Sequence, residues 1–128
     1  MERSYTTTEP WTYRDLDTLG VDLTRGLDLV GFEIEATDGG IGKVDEATYD
    51  VGASYVVVDT GPWIFGKKVM LPAGVIQRVD LDSQTIFVDR TKDEIKNSPE
   101  FDEDTYREES YRNELGGYYG EGGAGYRP

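Results

Sequence analysis

Carboxylates dominate the reactive side chains of this sequence. It carries 26 Asp and Glu against 13 Lys and Arg, a net charge of −13, and has neither Cys nor His. Without Cys there is no thiol nucleophile, disulfide or thiolate ligand for zinc. Without His there is no imidazole to serve as the base of a Ser-His or Cys-His site. Acid–base chemistry would fall to carboxylates, Lys or Tyr. Asp45, Glu46 and Asp50 are close enough along the chain for paired-carboxylate work. No nucleophile or positioned cation stands beside them, so solvated charges on a sheet face are the simpler reading. Asp102-Glu103-Asp104, with Glu108 and Glu109, offers oxygens to a hard cation. The run lacks both the D-x-[DN]-x-[DN]-G spacing and the bidentate Glu of a calcium loop, and reads as the acidic start of a helix. Gly39-Gly40-Ile41-Gly42 lacks the G-x-G-x-x-G spacing of a phosphate cradle and has no helix start behind it. It reads as a hairpin turn. No catalytic residue, metal or cofactor is expected, and the chain is read as not an enzyme.

Two groups of residues suit binding better than catalysis. Pro62-Trp63-Ile64-Phe65-Gly66 places three large apolar residues in a loop. Trp63, Ile64 and Phe65 either plug one end of the core or form an exposed patch for a protein partner, since aromatics dominate interface hot spots. Tyr106, Tyr111, Tyr118, Tyr119 and Tyr126 interleave with Arg107, Arg112 and Arg127. Such a segment is either adhesive, with Tyr111, Tyr118 and Tyr119 as contact candidates, or a solubilising extension. The acidic balance disfavours nucleic acid and bare anionic membrane, which both need a positive face. A local cluster of Lys43, Lys67, Lys68 and Arg78 would be required to bind RNA.

The elements that must position these residues follow from periodicity. Residues 1–27 show no sustained pattern and read as an irregular lead-in, with Trp11 as the residue to dock on the domain. Phe32, Ile34 and Ala36 alternate with Glu33, Glu35 and Thr37, the mark of a half-buried strand. Asp38-Gly39-Gly40 turns the chain into a second strand, Ile41 to Tyr49. There Val44 and Ala47 break the alternation as a bulge would. Ser54 to Thr60 is the strongest strand, rich in β-branched residues. Lys67 to Leu71, Val75 to Val79 and Gln84 to Arg90 complete a set of five to six short strands separated by Gly, Pro and Asp turns. Close spacing of this kind predicts an all-β fold, a small antiparallel barrel or sandwich. Thr91-Lys92-Asp93-Glu94 is a capping box opening a short helix that stops at Asn97-Ser98-Pro99. A second helix is expected over 102–115, with Gly116-Gly117 as its C-cap. Residues 99–128 form an acidic, Tyr/Gly-rich flexible tail whose last part builds no core, so its removal is expected to lower stability little. No apolar run spans a membrane and no signal peptide opens the chain, which points to the cytoplasm.

Asp28-Leu29-Val30-Gly31, then Asp38-Gly39-Gly40-Ile41-Gly42-Lys43-Val44-Asp45, then Tyr55-Val56-Val57-Val58-Asp59, resemble the opening of PRC-barrel domains. Val69-Met70-Leu71-Pro72, followed by Val75 and Ile76, is similar to the edge before that family's last hairpin. The resemblance covers residues 28–98 and is to stand-alone soluble bacterial members. It implies an SH3-like β-barrel that works as a protein-docking adaptor rather than a catalyst. The partner is a protein of unknown identity, with a homo-oligomer left open. A small-molecule binder or carboxylate enzyme at the barrel mouth is the alternative, and an RNA-processing role the third.

Overall fold

The computed structural model describes residues 11, 13, 19–20, 28–49, 54–61 and 67–120. Six strands run in chain order: β1 (Glu33–Ala36), β2 (Gly39–Ala47), β3 (Tyr55–Asp59), β4 (Lys68–Pro72), β5 (Ile76–Asp80) and β6 (Thr85–Val88). They form one sheet in the order β4-β3-β2-β1-β6-β5. Two short helices follow, α1 (Lys92–Lys96) and α2 (Glu109–Gly120). The molecule is mostly β, as its alternation predicts.

The pairing departs from the antiparallel expectation at one seam. β1 and β6 run parallel, with Ile34 opposite Ile86, while the other four pairings are antiparallel. A parallel partner needs a long connection, and here the four intervening strands supply it. No ladder joins β4 to β5 among the described residues, so the sheet is open rather than closed.

The register shows where apolar residues must go. Val56, Val58, Val69 and Leu71 share one face of the β3–β4 pair; Tyr55, Val57 and Met70 share the other. All seven are buried. The Val-rich run of β3 is therefore covered on both sides, as a continuous apolar strand requires. The seven share one core cluster with Ile34, Ile86 and Val88. The second face receives residues beyond 100, with Tyr106 standing edge-on to Tyr55 at 6.3 Å between ring centres.

The bulge expected in β2 is present. Val44 opposes Val58, yet Glu46 opposes Val57, so Asp45 is the extra residue. The slip moves Glu46 onto the covered second face, which strict alternation would have denied it. Gly42, four residues before Glu46, has φ +150° and lies against the backbone of β3; a Cβ there would stand 2.0 Å from the Asp59 carbonyl oxygen.

The capping box of α1 forms as the sequence predicts. Thr91 Oγ1 accepts from the Glu94 amide at 3.1 Å, and the Glu94 carboxylate accepts from the Thr91 amide at 2.8 Å. The second helix is displaced from expectation. Residues 103–107 form turns, in which Asp102 Oδ1 accepts from the Asp104 amide. α2 begins only at Glu109 and continues through Gly116-Gly117 instead of stopping there. A tertiary contact overrides the local stop signal. A Cβ at Gly116 would stand 2.7 Å from the indole nitrogen of Trp11, so glycine lets the helix and that ring meet. Within the stretch from Gly116, expected to build no core, Tyr119 is buried, and Tyr106, Tyr111 and Leu115 before it are buried as well. No helix among the described residues is long and apolar enough to cross a membrane.

Candidate functional site

The bulge delivers Glu46 to a node of three donors. Tyr106 Oη donates to Glu46 Oε1 at 2.8 Å, Tyr55 Oη to Oε2 at 3.0 Å, and Arg107 Nη2 to Oε2 at 3.2 Å. Partial burial works to raise the carboxyl pKa. The hydrogen bonds from Tyr106, Tyr55 and Arg107, with the guanidinium charge, outweigh it and hold the pKa below the usual carboxylate value. Tyr106 moves the opposite way, pushed up to about 12 by burial and then by the Glu46 carboxylate. Near neutral pH neither group exchanges protons readily, and both carboxylate oxygens are occupied. The node is suited to holding two chain segments together rather than to acid–base catalysis.

The other members of the carboxylate trio do not join it. Asp45, on the bulge, pairs with Lys68 Nζ at 2.9 Å; Asp50 lies outside the described residues. Lys68 also meets Glu103 at 3.4 Å, and Lys67 pairs with Glu100. Two of the four cations considered for RNA thus face carboxylates on the segment after α1. A third, Arg78, sits over the Phe87 ring at 4.3 Å. Open clefts of about 350 and 370 Å³ adjoin Lys67 and Lys68, and one of about 540 Å³ lies between Phe101, Tyr111 and four carboxylates. Among the described residues no three acidic side chains converge to hold a metal ion.

The binding candidates separate clearly. Trp63, Ile64 and Phe65 lie outside the described residues. Tyr111 and Tyr119 are core residues. Tyr111 Oη donates to the Pro99 carbonyl at 3.2 Å, and burial raises both hydroxyl pKa values. Tyr118 is half-buried, with its hydroxyl donating to the Glu94 carbonyl at 2.7 Å. These tyrosines fasten α2 to α1 and to the turn after it.

Trp11 docks as its isolation in a polar lead-in suggested. Its carbonyl accepts from the Ser54 amide at 2.8 Å, and its ring lies under the Arg112 guanidinium at 5.1 Å. Sequence reasoning missed a neighbouring surface. Tyr13 stacks on Tyr49 at 5.7 Å, Tyr13 Oη donates to the Thr48 carbonyl, and Tyr49 Oη accepts from the Leu29 amide. Tyr49 remains 40% exposed and Val30, next to Leu29, 50% exposed. Alternation along Ile41 to Tyr49 assigns Tyr49 to the core with Val44 and Ala47, but β2 ends at Ala47 and leaves the Tyr49 ring outside it.

No family model matches the chain, and no curated protein matches it. Among solved structures it is similar to RimM of Pseudomonas aeruginosa, a 16S ribosomal RNA processing protein, at 21% identity and a TM-score of 0.43. The likeness covers 51% of this chain and 42% of that one, so the chain spans less than half of that protein's length. No ligand, partner or activity follows from an overlap of that extent.

Proposed function

We propose that the chain is a non-enzymatic adaptor that binds another protein, built on a curled sheet of PRC-barrel type. The curl is supported by the connection between the two edge strands: β4 and β5 stand at opposite ends of the sheet order, yet only Ala73–Val75 separates them in the chain. The observation that carries the adaptor reading is how the polar groups are engaged. Glu46, Lys67 and Lys68 hold the chain's own segments together, while Tyr49 stays exposed against Tyr13 and Val30 is exposed next to Leu29, whose amide donates to Tyr49 Oη. Polar groups engaged within the chain, and apolar side chains left exposed elsewhere on it, favour protein contact over catalysis. The net charge of −13 argues against bare nucleic acid as the partner. The Trp63–Phe65 loop remains a second place for the same contact.

Affinity capture from the native host with the full chain tests this. The wild type should retain a protein that is lost from Val30→Ser/Tyr49→Ser while the melting temperature moves little. Loss instead from Trp63→Ala/Phe65→Ala would keep the adaptor function and move its contact to the loop. Retention of no protein, or of RNA alone, would overturn the proposal.

A further inference from the structure

The segment after α1 is fastened unlike the rest of the molecule. The strands are held by backbone ladders and buried β-branched residues. α2 holds three glycines in twelve residues, and each glycine weakens a helix relative to alanine. A helix of this length and composition does not form alone in water. Beside the buried Tyr111, Leu115 and Tyr119, its ties are side-chain clasps: Tyr118 to the Glu94 carbonyl, Arg90 Nη2 to the Tyr119 carbonyl at 2.6 Å, and Trp11 against Gly116 and Arg112. The ion pairs of Lys67 and Lys68 with Glu100 and Glu103 are largely exposed, and such pairs add little.

We infer that residues 99–120 form a strap that lifts from the sheet as one unit, with Trp11 as its keeper. Trp11 is itself tied to the start of β3 through the Ser54 amide, so its ring stays in place as a platform for α2. Lifting the strap bares the sheet face that carries Tyr55, which Tyr106 covers in the closed form. It also bares Ile95 and Leu115, both fully buried when it is shut. Elements of low local stability open this way without global unfolding. The fold thereby holds a concealed apolar face, covered by a strap that the Glu46 node and the indole ring of Trp11 both fasten.

Hydrogen exchange on the full chain decides the matter. Amides of residues 109–120 should exchange together, at least about tenfold faster than those of β3 and β6. Trp11→Ala should speed the strap about tenfold more and leave β3 and β6 within about twofold. Gly116→Ala gives a test of sign. If intrinsic propensity held α2, alanine would slow its exchange; if Trp11 is the keeper, the new methyl group displaces the indole and speeds it. Equal exchange of strap and sheet, slower exchange in Gly116→Ala, or loss of the sheet in both variants would overturn the inference. So would a strap opened by 1 M NaCl but indifferent to Trp11→Ala, because its clasp would then be ionic.

Discussion

Gly42→Ala and Gly40→Ala, two residues apart on β2, should move stability in opposite directions. At Gly42 the new Cβ would stand 2.0 Å from the Asp59 carbonyl oxygen and 2.9 Å from the Thr60 Cα, where ordinary contact begins near 3.4 Å. About 1.4 Å must therefore be found in backbone, and in the backbone of β3, whose Val56 and Val58 are fully buried. Overpacking of a tight core costs about 1–3 kcal/mol. Holding alanine at φ +150° adds about 1–3 kcal/mol more. A loss of about 2–6 kcal/mol is expected, a large share of the roughly 5–15 kcal/mol typical of a domain. At Gly40 the Cβ meets only the Glu35 carboxylate at 3.6 Å and the Ile34 carbonyl at 3.9 Å, in a backbone region open to alanine. There the stiffer unfolded chain should add about 0.4–1 kcal/mol. Urea denaturation separates the two. With a slope near 2 kcal/mol/M, the Gly42→Ala midpoint should fall by about 2 M, while that of Gly40→Ala holds or rises by a few tenths. A Gly42→Ala protein within about 1 kcal/mol of wild type would refute the close approach of β2 to β3.

Glu46→Gln should cost about 1 kcal/mol at pH 7, the difference between charge-assisted and neutral hydrogen bonds. Because the folded carboxyl pKa lies below its ordinary 4.5, this contribution is whole above that value and is lost as pH falls through and below it. Urea midpoints of the two proteins should therefore converge on acidification from pH 7 to 3; a constant gap would sink the account. Of the nine tyrosines, Tyr13, Tyr106, Tyr111 and Tyr119 should ionise above the ordinary value of 10 while the protein is folded, since burial raises them, so the ultraviolet absorbance change should be incomplete near pH 10. Groups with raised folded pKa stabilise fully below pH 10 and lose that contribution as pH climbs through the folded value, so unfolding should set in over about pH 10–12. Ending the chain at Asn97 removes Tyr106, Tyr111, Leu115 and Tyr119 from the core. Calorimetry should show a melting temperature lower by more than about 8 °C, over 1 kcal/mol, with the β circular dichroism retained; a smaller fall would show these residues to be dispensable.

The strands were legible because each is a local pattern. Phe32, Ile34 and Ala36 alternate, β3 is a β-branched run, and the offset of Val44 and Ala47 announced the bulge. The Thr91 box was legible for the same reason, since both its hydrogen bonds lie within four residues. The parallel seam between β1 and β6 was not, because nothing in either strand's sequence states the direction of a partner about fifty residues away. The position of α2 was misread for a related cause. Glu108 and Arg112 favour a helix, and Gly116-Gly117 favours its end; the ring of Trp11, about a hundred residues earlier, decides otherwise. Glu46 looked like one of three solvated acids. Its place in a donor node depends on Tyr106 and Arg107, sixty residues onward.

The parallel seam has a consequence for how the protein is made. β1 can form its hairpin with β2 within microseconds of emergence, but its other edge pairs with Thr85–Phe87, so Ile34 must wait for Ile86, 52 residues later. At about 5–20 residues per second, synthesis leaves that edge unpartnered for about 3–10 s. An open edge beside a buried isoleucine is a template for pairing with other nascent chains. Glu33 and Glu35, which alternate with the core residues of β1, put charge on the strand during that interval, so the residues that face away from the core in the finished sheet also guard its edge while it is still half built.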